Sequence, residues 1–427
     1  MDNSKFINKI YGVIGFIWLL FMLMFPSDFQ EVKYLTLIVL LVLSFFEIIV
    51  RRKRINQNLF IGIFIWLTYF LFSLAFGFFK GYYIDYIDFS LISIYFITPI
   101  AAFLLSNIID NDEKFVSLNK MLIVITFMIV VLDIVYILNR LAIVSLPFDL
   151  NSSIFGSVVV EDQTLEFRIT NQSSLMFLWP YLFALNYSHE YTSKKEKYLI
   201  RVTIFLGFIV ALLSGRRAFQ AVIAISILLS MILLKLKKGK IQFVRKSNPI
   251  KWLLQILLVI VVIISSYNWL GKVLELDNFM NSVYNTFLSA FDFSSGSGYI
   301  RAQQVSMLIE GWVDSPLIGN GLNSYLSNNI ASLTTPWSYE TVYLALLYQT
   351  GIVGITIFFG SVYFIAKKTY NKINFEKTLT SSYFFGILVG FICFVIAGST
   401  NPMVYYIWAW SFAMISYSIN REDNKGI

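Results

Sequence analysis

Apolar runs about as long as a bilayer is thick recur from one end of this chain to the other, separated by short polar stretches. A helix needs roughly 20 mostly apolar residues to cross a hydrocarbon core of about 30 Å, so each run predicts a membrane span. Twelve are expected, at approximately 10 to 25, 34 to 50, 58 to 78, 90 to 108, 121 to 138, 173 to 187, 199 to 214, 218 to 236, 251 to 267, 341 to 366, 379 to 398 and 403 to 419. The first follows only Lys5 and Lys9 and has no small-residue cleavage site before Phe25-Pro26-Ser27, so it reads as an anchor rather than a removed signal peptide. The expected fold is therefore an all-α polytopic membrane bundle of about 12 helices, with residues 1–427 as a single transmembrane domain.

Two connections break the rhythm. The smaller, residues 139–172, carries Asp149, Glu161, Asp162, Glu166 and Arg168, and the larger, residues 268–340, is the longest in the chain. Within it Phe279, Val283, Phe287 and Phe291 recur every fourth residue, the stripe of a helix lying on the membrane or against the bundle. Ser294 to Gly298 interrupts this stripe, with Ser297 available as an N-cap. A second helix is expected in "GYIRAQQVSMLIEGW", with Arg301 in its first turn and Ile300 or Ala302, Val305, Leu308 or Ile309, and Trp312 on one side. Next comes "DSPLIGNGLNSY", whose Gly319 and Gly321 lack the preceding strand of a nucleotide site. They predict a tight turn that brings backbone close to a neighbouring element or ligand. No correspondence between the first and last six spans is visible, which weakens a transporter reading.

Composition agrees with the pattern: 57% of the 427 residues are hydrophobic, 18% are aromatic, and the mean hydropathy is +0.70. Cytoplasmic loops hold the excess of positive charge. An inside N-terminus puts 25 of the 33 Lys and Arg residues on the cytoplasmic side, including the clusters at 51–54, 194–201 and 235–251. With twelve spans both termini are then cytoplasmic and both long connections face outward. The net charge of +8 is topology signal plus attraction to anionic lipid, and no nucleic-acid partner is expected. Cys393 lies inside a span and the single histidine, His189, in a cytoplasmic loop. That leaves no disulfide framework, and on the outer face no histidine metal site, Ser-His-Asp triad or Cys-His pair. Neither a metal nor a cofactor is expected.

Eight cations remain outside: Lys33, Lys80, Arg140, Arg168, Arg216, Arg217, Lys272 and Arg301. Arg216 and Arg217 sit in "LLSGRRAFQAV", the turn of a hairpin between two apolar runs. Guanidinium groups stay charged, and one at membrane depth is costly unless paired or hydrated. A snorkelling turn is one reading, and an anion site is the other, since the planar fork of arginine binds phosphate oxygens bidentately. Arg168 and Arg301 would complete a cluster suited to a lipid diphosphate at headgroup depth. Glu340, at the mouth of span ten, is either a carboxylate that complements a helix dipole or a general base. Asp133, within "VVLDIVYI", is an intramembrane carboxylate, by default a functional candidate, alternatively held by a buried hydrogen bond or an arginine. Tyr82, Tyr83, Tyr86, Trp269, Trp312, Trp337 and Tyr339 crowd the outer connections as an interfacial belt. Sugar contacts by Trp312, Trp337 and Tyr339 are the functional alternative.

Together "LLSGRRAFQAV", "SGYIRAQQVSMLIEGWVDSPLIGNGLNSY" and "ETVYLALLYQTGIVG" resemble the O-antigen polymerase and O-antigen ligase superfamily of bacterial envelope proteins, over roughly residues 200 to 366. The resemblance implies an inverting, metal-independent glycosyltransferase of the C type in the bacterial cytoplasmic membrane. Its donor and acceptor would be undecaprenyl-diphosphate-linked oligosaccharide at the outer leaflet, for O-antigen, capsule or another surface polysaccharide. It leaves room for a chain-length regulator and a flippase as protein partners. The family's hairpin reads small-Ser-Arg-small, and its arginine falls on Arg217, with Arg216 in the place of the serine. The family arginine ahead of a Pro-Leu-Ile-Gly-x-Gly turn falls on Arg301. Arg217, Arg216 and Arg301 would then stabilise the diphosphate leaving group, and Glu340 would take the proton of the acceptor hydroxyl. Ligases of the family carry a His-Asn pair where this chain has Glu340-Thr341, which favours polymerase over ligase. A ligase, or a transporter of lipid-linked glycan, is the alternative.

Overall fold

The computed structural model describes residues 3–236 and 296–419, apart from residues 27, 51–54, 83–88, 110, 141–142, 146–151, 162–163, 189–192, 215, 327–335, 374–378 and 401. The expected span at 251 to 267, the stripe from Phe279 to Phe291, and Tyr83, Tyr86, His189, Trp269 and Lys272 lie outside the described residues.

Every other expected span coincides with helix. α1 (Asn3–Met24), α2 (Gln30–Val50) and α3 (Gln57–Phe79) come first. α4 (Phe89–Ile92) then runs through a π-helical turn, Ser93–Ile97, into α5 (Thr98–Ser106). α6 (Asp112–Arg140) follows, and after the short α7 (Ser152–Phe155) come α8 (Gln172–Ser188), α9 (Lys194–Leu213) and α10 (Arg217–Leu236). The last four are α11 (Gly296–Val313), α12 (Val342–Lys372), α13 (Leu379–Ala397) and α14 (Ile407–Ser418). Local chemistry sets the starts. Asn56 accepts the N–H of Leu59 at 3.3 Å, Asn111 that of Lys114 at 2.9 Å, and Ser193 that of Glu196 at 3.1 Å, each an N-cap of a following helix. Among the described residues five helices are long and apolar enough to cross a membrane: Gln57–Phe79, Asp112–Arg140, Arg217–Leu236, Val342–Lys372 and Leu379–Thr400.

The all-α expectation needs one correction. In the smaller connection, β1 (Gly156–Glu161) pairs antiparallel with β2 (Thr164–Ile169), in register from Gly156 with Ile169 to Glu161 with Thr164. The period-two alternation of "TLEFRI" is the physical cause, because it sends Phe167 and Ile169 inward together. Tyr136 of α6 donates its hydroxyl to Gly156 O at 2.8 Å and docks the hairpin.

α8 is the centre of the bundle, buried along nearly its whole length and packed against α13 and α10. Gly386 and Gly390 permit the approach of α13: a Cβ on Gly390 would stand 2.9 Å from Phe177 O. Among the described residues α12 is the long helix with non-helical backbone inside it. Gly351 inside it has φ 63°, ψ −169°, far from helical values.

Candidate active site

The break in α12 is filled by the glycine turn. Ile352 and Val353 cannot reach their helical acceptors across Gly351, and they donate instead to Pro316 O at 3.0 Å and Leu317 O at 3.1 Å. The carbonyls of Tyr348 and Gln349, released by the same break, accept from Asn320 N at 3.0 Å and Gly321 N at 2.8 Å. Two lost helical bonds are thus replaced by four, and none of these buried backbone groups is orphaned. The contact needs bare backbone: Gly321 has φ 103°, and a Cβ there would lie 2.2 Å from Gly77 Cα on α3. The Asn320 side chain adds a second tie, donating to Gly311 O at 2.9 Å while accepting from Lys80 Nζ at 2.9 Å. Lys80, an outlier to the charge asymmetry, therefore joins α3 to this turn. The glycines bring backbone to a neighbouring element, as their spacing predicts, and the element is a broken helix.

This clamp fixes α11 against the start of α12. α11 begins at Gly296, one residue ahead of the expected cap Ser297, so Arg301 falls in its second turn rather than its first. The buried face also differs from the expected apolar side. Gln304 and Leu308 are buried, while Ile300 and Ile309 are exposed. Arg301 Nε donates to Glu340 Oε2 at 2.7 Å, and the two side chains keep 33% and 42% of their surface exposed. A contact through Nε leaves the Nη groups of the fork for a second acceptor. Gln304 Oε1 accepts the N–H of Glu340 at 3.2 Å. Glu340 stands two residues before α12, where the helix dipole favours a carboxylate.

The second arginine group lies at the α9–α10 turn. Arg216 occupies the N-cap position: its N–H donates to Ser214 Oγ at 3.1 Å, and its C=O accepts from Phe219 N at 2.9 Å and Gln220 N at 3.2 Å. Arg217 is the first residue of α10. A helix N-terminus already carries a partial positive charge, so both guanidinium groups add to a field that attracts anions. The adjacent residues Tyr405 and Tyr406 each approach one of the two groups. Tyr405 lines a cavity of about 20 Å³ with Trp337, Tyr339 and Gln349, room for about one water. Tyr406 lies by Ser173 within the field of Arg216. Arg168 is exposed on β2, and β2 packs on α9.

Three residues expected as ligand contacts are buried and bonded within the fold. Asp133 is fully buried and its Oδ1 accepts from Asn171 Nδ2 at 2.7 Å, tying α6 to the residue before α8. Trp337 and Tyr339 are 6% and 3% exposed, so neither presents a ring face for a sugar. The Tyr339 hydroxyl accepts the N–H of Leu326 at 2.7 Å, and burial pushes its pKa up, which keeps it neutral. Trp337 O accepts from Gln349 Nε2 at 2.8 Å, which closes the connection onto α12. Trp312 remains half-exposed, with its indole N–H on Pro316 O at 3.0 Å. Sequence reasoning missed Gln304, Asn320 and Gln349. A glutamine or asparagine in a helix or loop carries no periodic signal, and burial alone reveals it.

No curated protein matches the chain. Residues 202–359 match the family model described as O-antigen ligase. The matched stretch runs from α9 past the Gly351 break, so it contains Arg216, Arg217, Arg301, Trp312 and Glu340 and omits Asp133 and Arg168. It supports a membrane enzyme that processes glycans on a lipid carrier, with glycosyltransferase-like activity. By its apolar helices and this match, the chain is an integral membrane protein that carries an O-antigen ligase family domain at residues 202–359.

Proposed function

We propose that the protein joins undecaprenyl-diphosphate-linked repeat units into a surface polysaccharide at the outer leaflet of the bacterial cytoplasmic membrane. On this reading the chain crosses the membrane twelve times with both termini in the cytoplasm. The end bearing Glu340 and the arginines then faces outward. The observation that carries the reading is the Arg301–Glu340 pair at 2.7 Å, each side chain partly exposed.

The reaction follows from what these groups can do. A hydroxyl of the acceptor sugar attacks the anomeric carbon of the donor, whose bond to the diphosphate oxygen breaks with the electron pair leaving on phosphate. Attack opposite the leaving group inverts the configuration. Glu340 takes the hydroxyl proton. Arg217 and Arg301, with Arg216 assisting, hold the charge that grows on the diphosphate, a contribution of about 10² to 10³ in rate per donor. No metal or cofactor enters this scheme. On this reading Trp312 and Arg168 touch the glycan.

Replacing Arg217 and Arg301 separately by Lys and by Ala, in a strain that makes the glycan, tests the reading by chain length on a gel. Shortened or absent polymer is expected. Full-length polymer from all four variants would sink it.

A ligase that moves finished chains to a final acceptor is the second reading, favoured by the description of the matched family. Against it stands Glu340-Thr341 where ligases of the superfamily carry His-Asn. A strain without a polymerase keeps single repeats on the final acceptor, whereas one without a ligase accumulates polymer on the carrier.

A further inference from the structure

We infer that Gln304 is a positioning residue for Glu340, holding its main chain while Arg301 holds its carboxylate. This rests on the glycosyltransferase reading above. Arg301 and Gln304 lie three residues apart on α11 and therefore on one face. One bonds Glu340 Oε2 at 2.7 Å and the other accepts its N–H at 3.2 Å. α11 thus grips a single residue at both ends.

The Glu340 N–H needs this partner. It precedes α12, whose N-cap residue Thr341 makes no side-chain capping bond, so the helix start itself does not hold it. Gln304 is fully buried, and its amide can be turned only one way, because the oxygen must face the N–H. Its Nε2 is consequently left without a partner among the described residues. A buried unpaired donor is unfavourable, and a leucine would fill the same volume without it. The amide persists at a position where packing alone favours an apolar side chain. Its bond to Glu340 is the one interaction that a leucine could not supply.

The consequence is geometric. A general base works only within hydrogen-bond reach of its proton, and displacement by about 1 Å can cost 10²-fold in rate. With Gln304 in place, the Glu340 carboxylate swings from a fixed main-chain point and stays in register with Arg301. Without it, the residue would follow the fluctuations of the connection ahead of α12.

The test uses full-length Gln304→Leu protein in nanodiscs, with lipid-linked repeat units extracted from the producing strain as the probe. Turnover should fall about 10- to 100-fold with KM within about twofold of wild type, while the melting temperature holds or rises. In a Glu340→Gln background the same substitution should have no further effect, because a residue that acts through Glu340 is not additive with it. Amide hydrogen exchange over residues 338–342 provides a readout independent of the reaction, and Gln304→Leu should accelerate it at least tenfold. Unchanged exchange, or an additive loss in the Glu340→Gln background, would overturn the inference. If wild-type protein forms no glycosidic bond, the enzyme reading fails and the exchange measurement alone decides the role of Gln304.

Discussion

Arg301 and Glu340 meet at 2.7 Å across the junction of α11 and α12, and neither is buried. An exposed pair of this kind contributes about 0–1 kcal/mol to stability. Its value lies in placing a guanidinium and a carboxylate side by side.

Removing either member should therefore separate stability from activity. Arg301→Ala and Glu340→Gln are expected to melt within a few degrees of wild type yet to lose about 10² to 10³ in turnover. The exchange Arg301→Glu with Glu340→Arg keeps a pair and should restore nothing. Thermal unfolding in detergent, paired with chain formation on a gel, checks both halves.

Arg217 is expected to matter for geometry as well as charge. Arg217→Lys keeps the cation but loses the bidentate fork, so its activity should lie between wild type and Arg217→Ala. Arg216→Ala should be milder than Arg217→Ala, since Arg216 occupies the family's serine position. Initial rates on lipid-linked glycan would rank the three, and an equal loss in all of them would remove the distinction.

The clamp on α12 should be intolerant of any side chain. Gly321→Ala forces a residue at φ 103° and a Cβ 2.2 Å from Gly77 Cα. Gly351→Ala puts one 2.3 Å from Leu317 O at φ 63°. Strained backbone alone costs about 1–3 kcal/mol, and these overlaps add to it. Little or no monodisperse protein should survive extraction, which size-exclusion chromatography would show.

Asp133 is expected to behave as a structural residue. Asp133→Ala strands the Asn171 amide in the interior, at about 1–3 kcal/mol. The melting temperature should fall while the turnover of the folded fraction stays within a few-fold of wild type. A folded but inactive variant would return Asp133 to the site.

How much of this was legible in the sequence follows from which interactions are local. Helix positions were readable because each span is a long apolar run bounded by polar residues or caps such as Asn56 and Ser193. The turn at Gly319 and Gly321 was readable as a close approach, but its target was not. Gly351 lies inside the run expected as span ten, and only three-dimensional contact with Pro316 and Leu317 reveals the break. The hairpin at 156–169 went unread because two six-residue strands leave only a faint period beside the membrane runs. Arg301 was identifiable as an outward cation and Glu340 as a carboxylate at the mouth of span ten, while their pairing depends on a fold that joins residues 39 apart. Trp337 and Tyr339 looked like an exposed belt and proved buried, because aromatic residues serve both purposes equally well.

The central claim is that this end of the bundle makes a glycosidic bond on a lipid carrier. Incubating the purified protein in a lipid bilayer with one lipid-linked repeat unit tests it most directly. The account predicts a ladder of products differing by one repeat, with free lipid diphosphate released in step and no ladder from Arg301→Ala. Unchanged substrate from the wild-type protein, or an undiminished ladder from Arg301→Ala, would contradict it.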